Sequence, residues 1–111
     1  MNLTVQPDLR IIKRRTDIKE ILQKSRRIKT RYGTFYCRTG QMAVRRIAVL
    51  IKKNVGNAVE RNYRKRIVRE YLRNEFHSAK TYNDIIFLYN YKGEVSYREL
   101  VAEFSYRLAV K

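Results

Sequence analysis

Two unbroken apolar runs and one helical stripe set the layout of the chain. Ile47, Ala48, Val49, Leu50 and Ile51 follow one another without a polar interruption, and so do the residues of IIFLY, Ile85 to Tyr89. Short runs of this kind, rich in β-branched and aromatic residues, predict strands covered on both faces or paired in parallel. Between them the period changes. Ile67, Val68, Tyr71 and Leu72 recur at helical spacing, and neither Gly nor Pro interrupts the stretch from Ala58 to about Asn74. Asn57 is a good N-cap, and Glu60, three residues on, is placed to reach back to the cap's own N–H. Strand, helix, strand in this order is a βαβ unit.

The flanking segments are shorter. Residues 1–15, with Pro7 and a basic cluster, are read as irregular. Thr16 is the expected N-cap of a first helix whose apolar stripe is Ile18, Ile21 and Leu22, with Asp17 and Glu20 in the first turn and an end near Ser25. Residues 26–31 form a basic segment suited to a short edge strand, and Thr34 to Arg38 (TFYCR) predicts a strand, followed by a turn at Thr39-Gly40. After a polar connection from His77 to Tyr82 and the second apolar run, Ser96 and Glu99 make a capping box for a last helix burying Leu100, Val101, Phe104 and Leu108. The expected fold is α+β: one domain over residues 1–111, a single sheet of about four strands and three helices in the order αβββαβα. The general rule makes the βαβ crossover right-handed.

Charge adds a partner to this picture. The 111 residues carry a net charge of +16, and 44% of them are hydrophobic, which suits one small core better than a disordered chain. The excess is local. Residues 1–74 hold 21 basic and 5 acidic side chains, whereas residues 75–111 hold five of each. On the central helix Arg61, Asn62, Lys65, Arg66, Arg69 and Arg73 share one broad face, opposite the apolar arc, with the pair Lys52-Lys53 just ahead of the turn at Gly56. Surface helices ordinarily interleave both signs, because i,i+4 pairs of opposite charge support them. A rail of one sign predicts a polyanion partner.

The residues KKNVGNAVERN, followed by KR, two residues and RE, resemble the signature helix of the bacterial ribonuclease P protein family. That pattern is a lysine pair, a Gly turn, Ala, Arg-Asn, two residues, Lys-Arg, two residues and Arg. Lys52, Lys53, Gly56, Ala58, Arg61, Asn62, Lys65, Arg66 and Arg69 match it, and the order of the flanking elements matches over nearly the whole chain. Two positions depart from it. Tyr63 stands where many members have arginine, with Arg64 one residue later in the apolar arc, where it is expected to snorkel to an edge. Asn54 and Val55 fill the turn where many relatives have one residue.

The resemblance implies the protein subunit of a ribozyme that removes the 5′ leader of precursor tRNA. It implies that the basic helix and lysine turn face the catalytic RNA, and that a cleft between the first helix and the sheet holds the single-stranded leader. Tyr36 matches an aromatic of that cleft, with Ile18 and Leu22 as its helical wall. It also implies a left-handed crossover. The expected partners are the catalytic RNA and precursor tRNA, with no obligate protein partner, in the cytoplasm. Mg²⁺ is expected through the RNA subunit, and no cofactor through the protein alone.

The chemistry legible in the chain agrees. Hydrolytic nucleases need a carboxylate cage, a His pair or a comparable acid–base set. Here the ten acids are scattered singly, Cys37 and His77 are each the only residue of their kind, and no HxxxH, DxD or Cys/His cluster appears. The reading is of no catalytic or metal site in the polypeptide, so a protein nuclease is the least favoured class. A structural RNA-binding protein, such as a small ribosomal protein, fits composition and charge equally well; only the motif separates it. No apolar run approaches the roughly 20 residues of a membrane span, and no signal peptide is expected.

Overall fold

The computed structural model describes residues 9–39, 45–74 and 83–108. In chain order these form β1 (Leu9–Ile11), α1 (Arg15–Lys24), β2 (Arg26–Lys29), β3 (Gly33–Arg38), β4 (Arg45–Ile51), a 3-10 turn (Lys53–Val55), α2 (Ala58–Asn74), β5 (Asp84–Tyr89) and α3 (Tyr97–Leu108). The strands make one sheet in the order β1-β4-β5-β3-β2. The two apolar runs lie at its heart as β4 and β5, paired in parallel and joined through α2. β5 pairs antiparallel with β3, and β3 antiparallel with β2.

Both faces of the sheet are clad, which is why β4 and β5 read as continuous apolar runs. On one face Ile47, Val49, Ile85, Phe87 and Tyr89 join Ile67, Val68, Tyr71 and Leu72 of α2 and Leu100 and Phe104 of α3 in the main core. Phe104 is its hub, with ring centroids 4.7, 4.9 and 5.1 Å from Phe35, Phe87 and Tyr71. Edge-to-face pairs of this kind contribute about 0.5–1.5 kcal/mol each beyond the area they bury. On the other face Ile12, Ile21, Ala48 and Ile86 form a much smaller core beneath α1. Ile18, Leu22, Tyr36 and Leu50 pack at its margin, only partly buried. One helix leaves part of that face uncovered.

The structure corrects three expectations. The N-terminal segment is not irregular throughout: Leu9–Ile11 pairs in parallel with Arg45–Ile47 as a fifth strand, and the Ile12 N–H continues the ladder to the Ile47 carbonyl at 2.7 Å. A three-residue edge strand has no periodicity to announce it. Helix α1 starts at Arg15, so the residue at the cap is Arg14, without a side-chain cap bond, and not Thr16. Arg64 does not snorkel outward. It is buried, and its Nη2 donates to the Gly93 carbonyl at 3.0 Å, fastening α2 to the connection before α3. Gly40, His77 and the connection expected from His77 to Tyr82 lie outside the described residues.

Candidate nucleic-acid interface

The basic helix begins at a turn whose geometry the local sequence dictates. The Asn57 side chain accepts from the Glu60 N–H at 2.9 Å, and Glu60 Oε1 accepts from the Asn57 N–H at 2.9 Å, the reciprocal pair expected of a capping box. Gly56 precedes it at φ 133°, where a side chain would be strained and a Cβ would lie 2.7 Å from Glu60 Oε1. Asn54 and Val55 do not loosen the turn. Val55 is buried in the main core, while Lys52, Lys53 and Asn54 stay exposed around it. An apolar anchor thus holds up two lysines at the mouth of the helix.

Along α2 the predicted division holds. Ile67, Val68, Tyr71 and Leu72 are buried, Asn62, Arg66 and Arg73 are exposed, and Arg61, Lys65 and Arg69 are half-buried at the flank. The cations are not equivalent. Arg61 donates from Nη1 to the carbonyls of Gly56 and Lys53, so part of its capacity is spent inside the protein. The Arg66 guanidinium lies 5.4 Å from the centre of the Tyr63 ring. Arg69 Nε is enclosed without an acceptor among the described residues.

The α1 face is best read in rows across the strands. Arg46, Asp84 and Arg38 align in one row; Ala48, Ile86, Tyr36 and Arg27 in the next; Leu50, Leu88, Thr34 and Lys29 in the third. Helix α1 lies over β5 and β3 at the first row and reaches Ile86 and the edge of Tyr36 in the second, leaving Arg27 exposed. Ile18, Leu22 and Tyr36 all pack against one small apolar cluster. Beyond it the third row is half-buried, edged by Lys29 on β2 and leading along β4 to Lys52. The Arg27 guanidinium sits 5.7 Å from the Tyr36 ring centre, its cross-strand neighbour. A strip of aromatic and aliphatic surface with cations at both margins is the chemistry that single strands use, bases stacking and phosphates pairing.

Sequence reasoning missed the clasp that closes the first row. Asp84, 2% exposed, accepts from Arg46 Nε at 2.9 Å and from Arg38 Nε at 2.9 Å. Those arginines also reach α1, Arg38 to Glu20 at 3.2 Å and Arg46 to Asp17 at 3.6 Å. Burial alone would raise the Asp84 carboxyl, but the two guanidiniums outweigh it and hold it below the usual carboxylate range. The network seats α1 on the sheet and withdraws two arginines from the cationic surface. A lone Asp opening an apolar run, opposite arginines that close and open its neighbours, was the available signal.

The remaining candidates are quiet. Cys37 is buried in the main core, and desolvation pushes its thiol up to about 12, far from a reactive thiolate. Among the described residues no three His, Cys, Asp or Glu side chains are placed to hold a metal ion, and no helix is long and apolar enough to cross a membrane.

Comparison with known proteins places this geometry. The family described as Ribonuclease P matches residues 7–109. A curated relative from Syntrophus aciditrophicus, a ribonuclease P protein component, is 33% identical over 86 residues, covering 78% of this chain and 71% of its own. Among solved structures, a Staphylococcus aureus RNase P protein mutant with defective mRNA degradation activity superposes with a TM-score of 0.76 at 23% identity, over 89% of this chain and 85% of that one. The RNase P protein from Thermotoga maritima gives 0.73 at 22% identity, over 90% of this chain and 96% of that one. These matches favour the ribonuclease P reading over a ribosomal protein. With sequence match, fold and basic helix in agreement, the chain belongs to the ribonuclease P protein family.

Proposed function

We propose that this chain serves tRNA 5′ maturation as an RNA-positioning subunit with two separate RNA surfaces. Family membership makes it a tRNA 5′-processing subunit. The division of labour is read from the side chains. The α2 rail and lysine turn, Lys52, Lys53, Arg61, Asn62, Lys65, Arg66, Arg69 and Arg73, meet the catalytic RNA through phosphates. The open strip beside α1, with Tyr36 and the wall of Ile18 and Leu22, takes the single-stranded leader of precursor tRNA. One observation carries this reading: the register of β2, β3, β5 and β4 lines up an aromatic and aliphatic strip that leads to the lysine turn at the foot of α2.

Catalysis is assigned to the RNA, and any Mg²⁺ to the RNA as well. In support, the described carboxylates are largely committed elsewhere: Asp17, Glu20 and Asp84 to arginines, Glu60 and Glu99 to helix caps, Glu103 to the Arg31 N–H and Arg107. The protein's contribution is electrostatic and orientational. Its cations screen repulsion between two RNAs, and the strip fixes where the leader runs. Work in the cytoplasm follows from the partners.

The test is cleavage of precursor tRNA at limiting Mg²⁺, by the purified chain, by the cognate catalytic RNA, and by both together. Stimulation only in the mixture is expected. Robust Mg²⁺-dependent cleavage by RNA-free protein would overturn the assignment.

A further inference from the structure

A second concave surface lies away from the leader strip. Between the first turns of α2 and the connection from β5 to α3 is a groove of about 670 Å³, within the size range of small-ligand clefts. Its lining includes Val59, Tyr63, Val95, Asn62, Arg66 and Glu94. Val59 is 77% exposed and Tyr63 37%, so two large apolar side chains face solvent at the base of the most cationic helix of the fold. The walls are held rather than loose, because the buried Arg64 bonds the Gly93 carbonyl from beneath.

The surroundings select the occupant. An apolar protein side chain would have to bring its backbone against the rail of Lys65, Arg66 and Arg69. A nucleic acid brings phosphates to that rail and a flat apolar ring to Tyr63. Arg66, lying 5.4 Å from the Tyr63 ring centre, can serve both ring and phosphate. Asn62 offers an amide donor and acceptor, and Glu94 an acceptor for an amino or imino hydrogen of a base. Glu60, also in the lining, is already committed to the cap of α2.

We propose that this groove holds one unpaired nucleobase of the structured RNA that α2 meets, stacked on Tyr63 with its phosphate at Arg66. The inference rests on the reading of α2 as RNA-facing and adds a base-binding pocket to it. Stacking on an aromatic ring is tolerant of sequence, so the pocket fixes register along the RNA more than it reads a base.

The experiment is binding of the full chain to its cognate catalytic RNA over a salt series. Tyr63→Ala should weaken binding on the order of 5- to 150-fold, the equivalent of one lost base stack, without changing the salt slope, since no cation is removed. Tyr63→Phe should stay close to the parent. Tyr63→Leu, which keeps a helix former and apolar cover, should lose affinity like the alanine variant, and decides the matter if that variant folds poorly. Lys65→Ala tests the underlying reading and should flatten the slope. Parental affinity in Tyr63→Ala or Tyr63→Leu, beside a flattened slope in Lys65→Ala, overturns the pocket and leaves the RNA-facing helix standing. A parental slope in Lys65→Ala overturns both. A loss in Tyr63→Phe equal to that in alanine assigns the effect to the hydroxyl and also overturns the stack.

Discussion

Arg61 donates from Nη1 to the carbonyl oxygen of Gly56 at 2.6 Å, so the helix grips its own entry turn. The same nitrogen reaches the Lys53 carbonyl at 3.2 Å. A residue on the cationic face is thereby also a positioning residue for the lysine pair. Arg61→Ala should lower stability by about 1–2 kcal/mol, in line with charge-assisted bonds that are only partly shielded from water. Arg61→Lys keeps the charge but not the planar guanidinium that sets Nη1 between the two carbonyls, and should recover little of that stability. Thermal melts beside RNA binding check this; a Lys65→Ala variant with the same melting loss as Arg61→Ala would contradict it.

The rail itself should act through phosphates. Lys65→Ala, Arg69→Ala and Arg73→Ala should each flatten the log–log salt dependence of RNA affinity by roughly 0.7–0.9 where one phosphate contact is lost. Lys111→Ala, in the third of the sequence where charges balance, should not. Equal behaviour of all four variants would mean that charge acts only in bulk.

Leader binding should depend on Tyr36 through its ring. Tyr36→Ala should weaken binding of precursor tRNA with a leader several nucleotides long by roughly 1–3 kcal/mol, and leave mature tRNA and the catalytic RNA nearly unaffected. Tyr36→Phe should be close to neutral. A leader series from zero to about ten nucleotides separates stacking from a general loss, with melts as control because Tyr36 also borders the small core. Equal losses for leaderless and leader-bearing RNA in a folded variant would return Tyr36 to a structural role.

The Asp84 clasp should show in the acid limb of stability. Its carboxyl titrates lower in the folded chain than in the unfolded one, so its stabilisation is complete above about pH 4 and fades as pH falls through the folded value. Asp84→Asn should cost about 3 kcal/mol at neutral pH, the low end for breaking a buried pair, because Arg38 and Arg46 keep Glu20 and Asp17. Denaturant unfolding of parent and variant from pH 7 to pH 2 should show the two converging as acid is added. A constant difference across that range would count against the ion pair as the cause.

What could be read from the residues alone is what is encoded within a short span of the chain. The capping boxes at Asn57-Glu60 and Ser96-Glu99, the one-signed face of α2, and the parallel centre of the sheet were all legible, because caps, helical period and apolar runs are local patterns. Tertiary structure decided everything that depends on register between distant strands. The pairing of Leu9–Ile11 with β4 gives an edge strand that no local pattern marks. Placing Asp84 between Arg38 and Arg46, 46 and 38 residues away, turns two of the chain's cations inward. Arg64 likewise became a strut, and Tyr63 the base of a groove, only once the β5–α3 connection folded across α2. Composition fixes how many positive charges there are; packing fixes which of them remain for RNA, because a guanidinium within reach of a buried carboxylate or a bare carbonyl is drawn to it before any partner arrives.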